Sequence, residues 1–205
     1  AKTDREEAIY ILKEINKLNA AYSKEFEKTI KSINQKLREE NIYLLQEDEL
    51  DEEQRAFIKD FYYQKLCGYV LPTWFPATKQ LKSSTDESIY LAVKMRRKDL
   101  SSKKAEYAFL ELPVSISGRF VRLNDKDGKC YLTYLDDVIR CCLPLIFSGQ
   151  NYTDFEAYSF KFTRDAEMEI DNDLRNGMLQ KISKGVKSRK KGAPMRIVYD
   201  AAMPK

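Results

Sequence analysis

Apolar residues recur at Ala8, Ile11, Leu12, Ile15, Leu18, Tyr22, Phe26, Ile30, Ile33 and Leu37. Three-and-four spacing held over that distance predicts one long helix. Thr3 with Glu6 gives it a capping-box start. A single apolar stripe has to lean on something, either the rest of this chain or, at its start, a neighbour outside it.

Beyond that helix the period shortens. Ile42 to Leu45 is a short apolar run and predicts a strand. Asp51 with Gln54 marks a second helix start, with Phe57, Ile58, Phe61, Tyr62 and Leu66 as its inner face and Gly68 and Pro72 as its end. Leu71 to Ser84 reads as an irregular connection. Ser88 to Met95 alternates, placing Ile89, Leu91, Val93 and Met95 on one face of a strand, and Arg96 to Lys104 follows as a polar loop. Tyr107–Leu112 and Arg119–Leu123 predict two more strands, Asn124 to Gly128 a turn, and Cys130–Leu132 a continuation of the sheet.

Thr133, three residues before Asp136, predicts the cap of another helix, with Leu135, Val138, Ile139, Cys142, Ile146 and Phe147 inside and Pro144 kinking or shortening it. Phe155–Thr163 is the next strand, Asn172–Lys190 a helix weakened by Gly177 and Gly185, and Met195–Tyr199 a last strand. Strands mixed with helices, without strict alternation, predict an α+β fold: a long N-terminal helix, then a mixed or antiparallel sheet with packed helices.

Composition narrows the chemistry. The 205 residues are 43% hydrophobic and 33% charged, as in a globular chain with a real core. No apolar run reaches the roughly 18 residues of a membrane span, and no secretory pattern opens the sequence. Cys67, Cys130, Cys141 and Cys142 are expected to be small buried thiols in a reducing cytoplasm. There is no histidine at all, so no histidine base can activate a nucleophile and no mixed cysteine–histidine zinc site can form. The carboxylate pairs Asp136/Asp137, Asp165/Glu167 and Asp171/Asp173 sit near element ends, where carboxylates serve as caps. The seven glycines form neither a dinucleotide fingerprint nor a P-loop. Neither a catalytic nor a metal-ligating set is expected.

Charge is unevenly distributed. Glu47 to Glu53 holds six acids and no base. Lys181 to Lys205 holds eight bases against one acid, Asp200, although the whole chain is only +4. A solvated helix end accounts for part of this, and an anionic partner is the alternative. Lys187, Arg189, Lys190 and Lys191 form the densest cationic run. Stacking aromatics are missing beside it, which argues against nucleic acid. A flexible polyanion needs only cations and backbone amides. In the run Arg119-Phe120-Val121-Arg122, alternation sends one arginine inward to a carboxylate or an anion, and an ion pair between strands is the favoured reading. Arg164, beside Asp165, is read in the same way.

Taken in order, SIYLAVKM, YAFLELP, GRFVRL, YLDDVIRCCLPLIFSG, AYSFKFTRDAEMEI and PMRIVYDAAMP resemble the head domain of the polyphosphate kinase family. The preceding INQKLREENIYLLQEDELDEEQRAFIKDFYYQKLCGYVLP is similar to the junction between that family's N-terminal domain and its head. The TRDAE corner is the most specific element, followed by LDDVIR with its later F-x-G.

The resemblance implies residues 1–41 as the end of a helical N-terminal domain and 42–205 as a head domain incomplete at its C-terminal end. It implies a parent that moves the terminal phosphate of ATP, with Mg2+, through a phosphohistidine to polyphosphate, reversibly. The family's C-terminal domains carry that chemistry, so this chain is expected to be inactive alone and to bind neither ATP nor Mg2+. The implied partners are inorganic polyphosphate, the remaining domains of the parent, and a second copy through the head, which also helps wall the polymer tunnel. The implied location is the cytoplasm, with peripheral membrane association as a variant. Arg119, Arg164, Lys187, Arg189, Lys190 and Lys191 are expected to contact the polymer, on charge alone. The competing reading is a stand-alone module for polyanions or nucleic acid, with no enzymatic parent.

Overall fold

The computed structural model describes residues 4–74, 88–97, 105–164 and 194–204. The chain divides into two compact units: residues 1–44 with 124–132, and residues 45–123 with 133–205.

The first unit is built on the helix that the apolar period predicts, α1 (Asp4–Glu39). Asn41, at φ 60°, turns the chain into β1 (Ile42–Leu45). A tight turn at Lys126–Lys129, with Asp127 and Gly128 both at positive φ, leads into β6 (Cys130–Tyr134), which lies beside β1. The Cys130 N–H donates to the Asn41 carbonyl at 2.9 Å. The Tyr43 and Tyr131 rings meet at 5.4 Å, with Lys129 and Arg38 over the Tyr43 ring at 5.4 and 5.8 Å. Along α1 the stripe is open: Ile11, Ile15, Leu18, Tyr22, Phe26 and Ile33 are all exposed.

The second unit begins with α2 (Glu52–Phe61). The predicted capping box is present: the Gln54 N–H donates to Asp51 Oδ1 at 2.8 Å and the Asp51 N–H donates to Gln54 Oε1 at 3.0 Å. A π-helical turn, Tyr62–Leu66, extends it. Gln54, Ile58, Tyr62 and Leu66 are its buried residues, while Phe57 and Phe61 are half-buried and stack at 6.2 Å.

The main sheet has five strands in the order β2-β4-β3-β7-β8. They are β2 (Thr73–Trp74), β3 (Tyr90–Arg97), β4 (Glu106–Glu111), β7 (Tyr152–Arg164) and β8 (Pro194–Tyr199). Every pairing is antiparallel. The fold is therefore α+β, with the antiparallel form of the sheet. Val93 on the central strand β3 faces Ala108 of β4 and Ala157 of β7.

Leu91, Val93 and Met95 are fully buried on one face of β3, as the alternation requires. Tyr90 on the opposite face is buried too, stacked on Phe160 at 5.4 Å and edge-on to Phe109 at 6.3 Å. A short helix, α3 (Val114–Ser117), precedes β5 (Phe120–Arg122). Helix α4 (Leu135–Ile146) packs on α2 and β7. Leu135, Val138, Ile139, Cys142 and Leu143 are buried along it, and Phe147 closes it.

Several boundaries differ from the sequence reading, each for a physical reason. Thr133 is no cap: it lies in β6, its hydroxyl donates to the Leu45 carbonyl at 3.0 Å, and Tyr134 takes the N-cap position without a side-chain bond. Arg96 and Arg97 belong to β3 rather than to a loop, because carboxylates on the adjacent strands pair with them. Trp74 forms a two-residue strand within the stretch read as irregular, its ring edge-on to Phe147 at 5.7 Å. Pro144 sits inside α4, which ends two residues later. Cys142 is buried and Cys130 and Cys141 partly so, but Cys67 is exposed at the end of the π turn. The helix predicted over 172–190 lies outside the described residues.

Candidate functional site

Asp136 and Asp137 open α4, where the helix N-terminus favours negative charge. Both are buried, and a buried carboxylate needs donors. Arg119, just ahead of β5, supplies them to Asp136 with both terminal nitrogens, the Nη2–Oδ2 distance being 3.0 Å. Ser159 Oγ on β7 donates to Asp136 Oδ2 at 2.7 Å. The inward arginine of the Arg119–Arg122 run is thus Arg119, and its partner is a carboxylate.

Arg140, one turn further along α4, extends the network. Its Nη1 donates to Asp137 Oδ1 at 2.7 Å, its Nε to the Ala157 carbonyl at 3.1 Å and its Nη2 to Ser159 Oγ at 2.8 Å. Asp200 Oδ2, just past β8, lies 3.9 Å from Nη2, and the Asp200 N–H donates to the Ser159 carbonyl at 2.9 Å. One guanidinium therefore joins α4, β7 and the turn after β8. Burial pushes the Asp137 carboxyl above its ordinary range, against the attraction of Arg140. Burial raises Glu47 as well, in the turn before α2, with Arg140 opposing.

Of the neighbouring thiols, Cys142 is buried and Cys141 partly so. Burial lifts Cys141 to about 11 and Cys142 to about 12, so both stay protonated near neutrality. Arg55 Nη1 lies 3.6 Å from Cys141 Sγ, and its other nitrogens donate to the carbonyls of Leu50 and Glu47.

A second set of pairs neutralises the outer sheet. Lys94 Nζ bonds Glu156 at 2.9 Å, and Arg96 Nη1 bonds Asp154 at 2.7 Å and Glu156 at 3.1 Å. Arg97 Nε bonds Glu106 at 3.0 Å, and Tyr152 also donates to Glu106. Hydrogen bonds from Lys94 and Tyr158 hold the Glu156 carboxyl below its ordinary range.

Of the six residues proposed from charge, Arg119 and Arg164 fall within the described residues. Arg119 is gripped by Asp136. Arg164 ends β7 opposite Pro194, where the register shifts. Lys187, Arg189, Lys190 and Lys191 lie outside the described residues. Arg140, which ties the unit together, was not singled out from the sequence. Its signal was available in the three-residue spacing from Asp137, which puts the two side chains on one helix face.

The arrangement ties α4 to Arg119 ahead of β5, to β7 and to the turn after β8. Asp136 and Asp137 are each held by a guanidinium, and among the described residues no group of three histidine, cysteine, aspartate or glutamate side chains could hold a metal ion. No helix among the described residues is long and apolar enough to cross a membrane.

These features define an α+β domain of antiparallel sheet, stitched by arginine–carboxylate pairs. A family model described as polyphosphate kinase middle domain matches residues 53–205, and the chain belongs to the polyphosphate kinase family. It is 31% identical over 186 residues to the polyphosphate kinase of Vibrio parahaemolyticus, covering 89% of this chain and 26% of that protein. The Vibrio cholerae polyphosphate kinase is 34% identical over 167 residues, 80% of this chain and 23% of that protein. The Escherichia coli K12 polyphosphate kinase is 32% identical over 167 residues, 80% of this chain and 24% of that protein. The chain thus spans about a quarter of the length of these relatives. The crystal structure of polyphosphate kinase from Porphyromonas gingivalis shares the fold, with a TM-score of 0.69 at 21% identity, over 92% of this chain and 31% of that one.

Proposed function

We propose that this chain is a supporting region of a polyphosphate kinase whose reacting centre lies elsewhere in the parent polypeptide. The observation that carries the reading is a pairing: a match to the middle domain over 53–205, in a chain without a histidine. The intact parent would move the terminal phosphate of ATP to polyphosphate through a phosphohistidine, reversibly. In this reading ATP and Mg2+ belong to the rest of the parent, in keeping with a sequence that has no phosphate-cradling glycine loop.

The role left for this chain is to hold a rigid wall and to present cations to the polymer. Arg164, Lys187, Arg189, Lys190 and Lys191 are the proposed polymer contacts. Arg119 is the weakest of the set, because Asp136 already neutralises it. Dimer contact through the head domain, residues 42–205, and residence in the cytoplasm belong to the same reading.

The test uses the intact parent. Neutralising Lys187, Arg189, Lys190 and Lys191 together is expected to weaken polyphosphate binding roughly 10-fold or more, since each lost phosphate contact also lowers the salt slope. Unchanged affinity and slope would remove these residues from the polymer path. Tight, salt-sensitive binding of single-stranded nucleic acid, with no ATP-dependent synthesis by the parent, would favour the stand-alone module.

A further inference from the structure

A strand slipped by one residue turns every side chain to the opposite face, so burial of one face ordinarily fixes its register. Leu91, Val93 and Met95 do this for β3. In β8 the side chains of Arg196, Ile197, Val198 and Tyr199 are all exposed, on both faces alike. β8 is the last strand in the order of the sheet and pairs with β7. The pairing is irregular at one end, where the register shifts between Thr163 and Arg164. A displacement of β8 by two residues would keep each side chain on its own face, so burial does not reject it.

We propose that Arg140 and Asp200 lock the register of β8. Phe160 faces Tyr199, and one step further the Asp200 N–H donates to the Ser159 carbonyl at 2.9 Å. At that same level Arg140 Nη2 donates to Ser159 Oγ at 2.8 Å and lies 3.9 Å from Asp200 Oδ2. One guanidinium thus touches β7 and reads the residue that ends β8. Arg140 cannot follow a slip of β8, because Asp137 holds its Nη1 and the Ala157 carbonyl holds its Nε. Asp200 is the sole acid from Lys181 to Lys205. A slip of two residues sets Val198 or Ala202 opposite Ser159, and a slip of four in one direction sets Arg196 there, with its charge against Arg140. Charge therefore selects one register where burial selects none. The turn beyond marks the same residue: the Ala202 N–H donates to Asp200 Oδ1 at 2.9 Å and the Met203 N–H to the Asp200 carbonyl at 3.0 Å. Arg140 and Asp200 are positioning residues, and the inference does not rest on the polymer reading.

Disulfide trapping in the 205-residue chain tests it, in a Cys67→Ser background with the joined peptides identified by mass. Lys161 and Val198 face each other in the observed register, whereas Lys161 and Arg196 do so only after a slip of two. Diagonal partners stand about 7–8 Å apart, too far for a ready disulfide. The pair Lys161→Cys with Val198→Cys should therefore join readily, and Lys161→Cys with Arg196→Cys poorly. Adding Asp200→Ala should raise the second yield relative to the first roughly 5-fold, the size of effect that loss of a partly exposed ion pair permits. Moving the acid, with Val198→Asp and Asp200→Ala together, should make the Lys161→Cys and Arg196→Cys pair join readily. A merely structural role for Asp200 would lose the old register without gaining this one. Arg140→Gln should abolish the gain, since a neutral amide does not seek the acid. Unchanged yields in Asp200→Ala overturn the lock, and so does a moved acid that leaves the slipped pair unreactive. A gain that survives Arg140→Gln removes Arg140 from it.

Discussion

Helix α1 and the five-stranded sheet unit obey the same amphipathic rule with opposite outcomes. In the sheet unit Leu91 and Met95 are 0% exposed, and α4 lays Leu135, Val138 and Ile139 into the same core. Along α1 the apolar residues are as regular, yet they face outward. Periodicity dictates which element forms and which face wants burial, but it does not name what covers that face. The sheet unit supplies its own cover and its own counter-charges. The apolar stripe of α1 stays exposed among the described residues.

Substitutions should widen or collapse that contrast. The largest effect is expected at Arg140. Arg140→Ala strands the buried Asp137 charge and leaves the Ala157 carbonyl without its side-chain donor, which should cost about 3–5 kcal/mol in urea unfolding of the sheet unit. A loss below about 1 kcal/mol would mean that this network does not hold α4 to β7. Leu135→Ala, at a fully buried position, should cost about 2–5 kcal/mol. Leu18→Ala, at an exposed position, should shift the same transition by no more than about 0.5 kcal/mol in dilute solution. Equal costs for Leu135 and Leu18 would erase the distinction. Asp51→Ala removes the α2 cap and should cost about 1 kcal/mol.

The smallest effects are in pH. Burial raises the Asp137 pKa in the folded chain above its unfolded value of about 3.9, so the fold binds the proton more readily. Its stabilising contribution is fully present below the unfolded value and is lost as pH rises through the raised one. Glu156 has the opposite sign, since hydrogen bonds from Lys94 and Tyr158 lower its pKa. Its contribution is present above about 4.3 and lost as pH falls through the lowered value. Melting temperature from pH 3 to 7 should therefore lose its decline above pH ~4 in Asp137→Asn, and part of its acid-side loss in Glu156→Gln. Identical profiles for the two variants would contradict the assignment.

Much of the fold was legible residue by residue. The α1 period, the Asp51–Gln54 capping box and the alternation of Leu91, Val93 and Met95 are local signals, and local physics decides them. Thr133 misled because T-x-x-D before an apolar run imitates a cap, whereas its hydroxyl is claimed by the Leu45 carbonyl 88 residues away in sequence. Tyr90 was invisible as a core residue because its burial depends on Phe109 and Phe160 from other strands. Trp74 needed Phe147 and Tyr152 for its ring contacts. At the site, the sequence showed that one arginine in Arg119–Arg122 had to be paired. It did not show Arg140, because three of its acceptors and neighbours, Ala157, Ser159 and Asp200, come from outside its helix.

The central claim is that the group that receives phosphate lies outside these 205 residues. Incubation of the purified chain with ATP labelled at its terminal phosphate and with Mg2+, followed by denaturation, tests it most directly. The account predicts no covalent label on this chain and acid-labile label on the intact parent. Label retained on the 205-residue chain itself would contradict it.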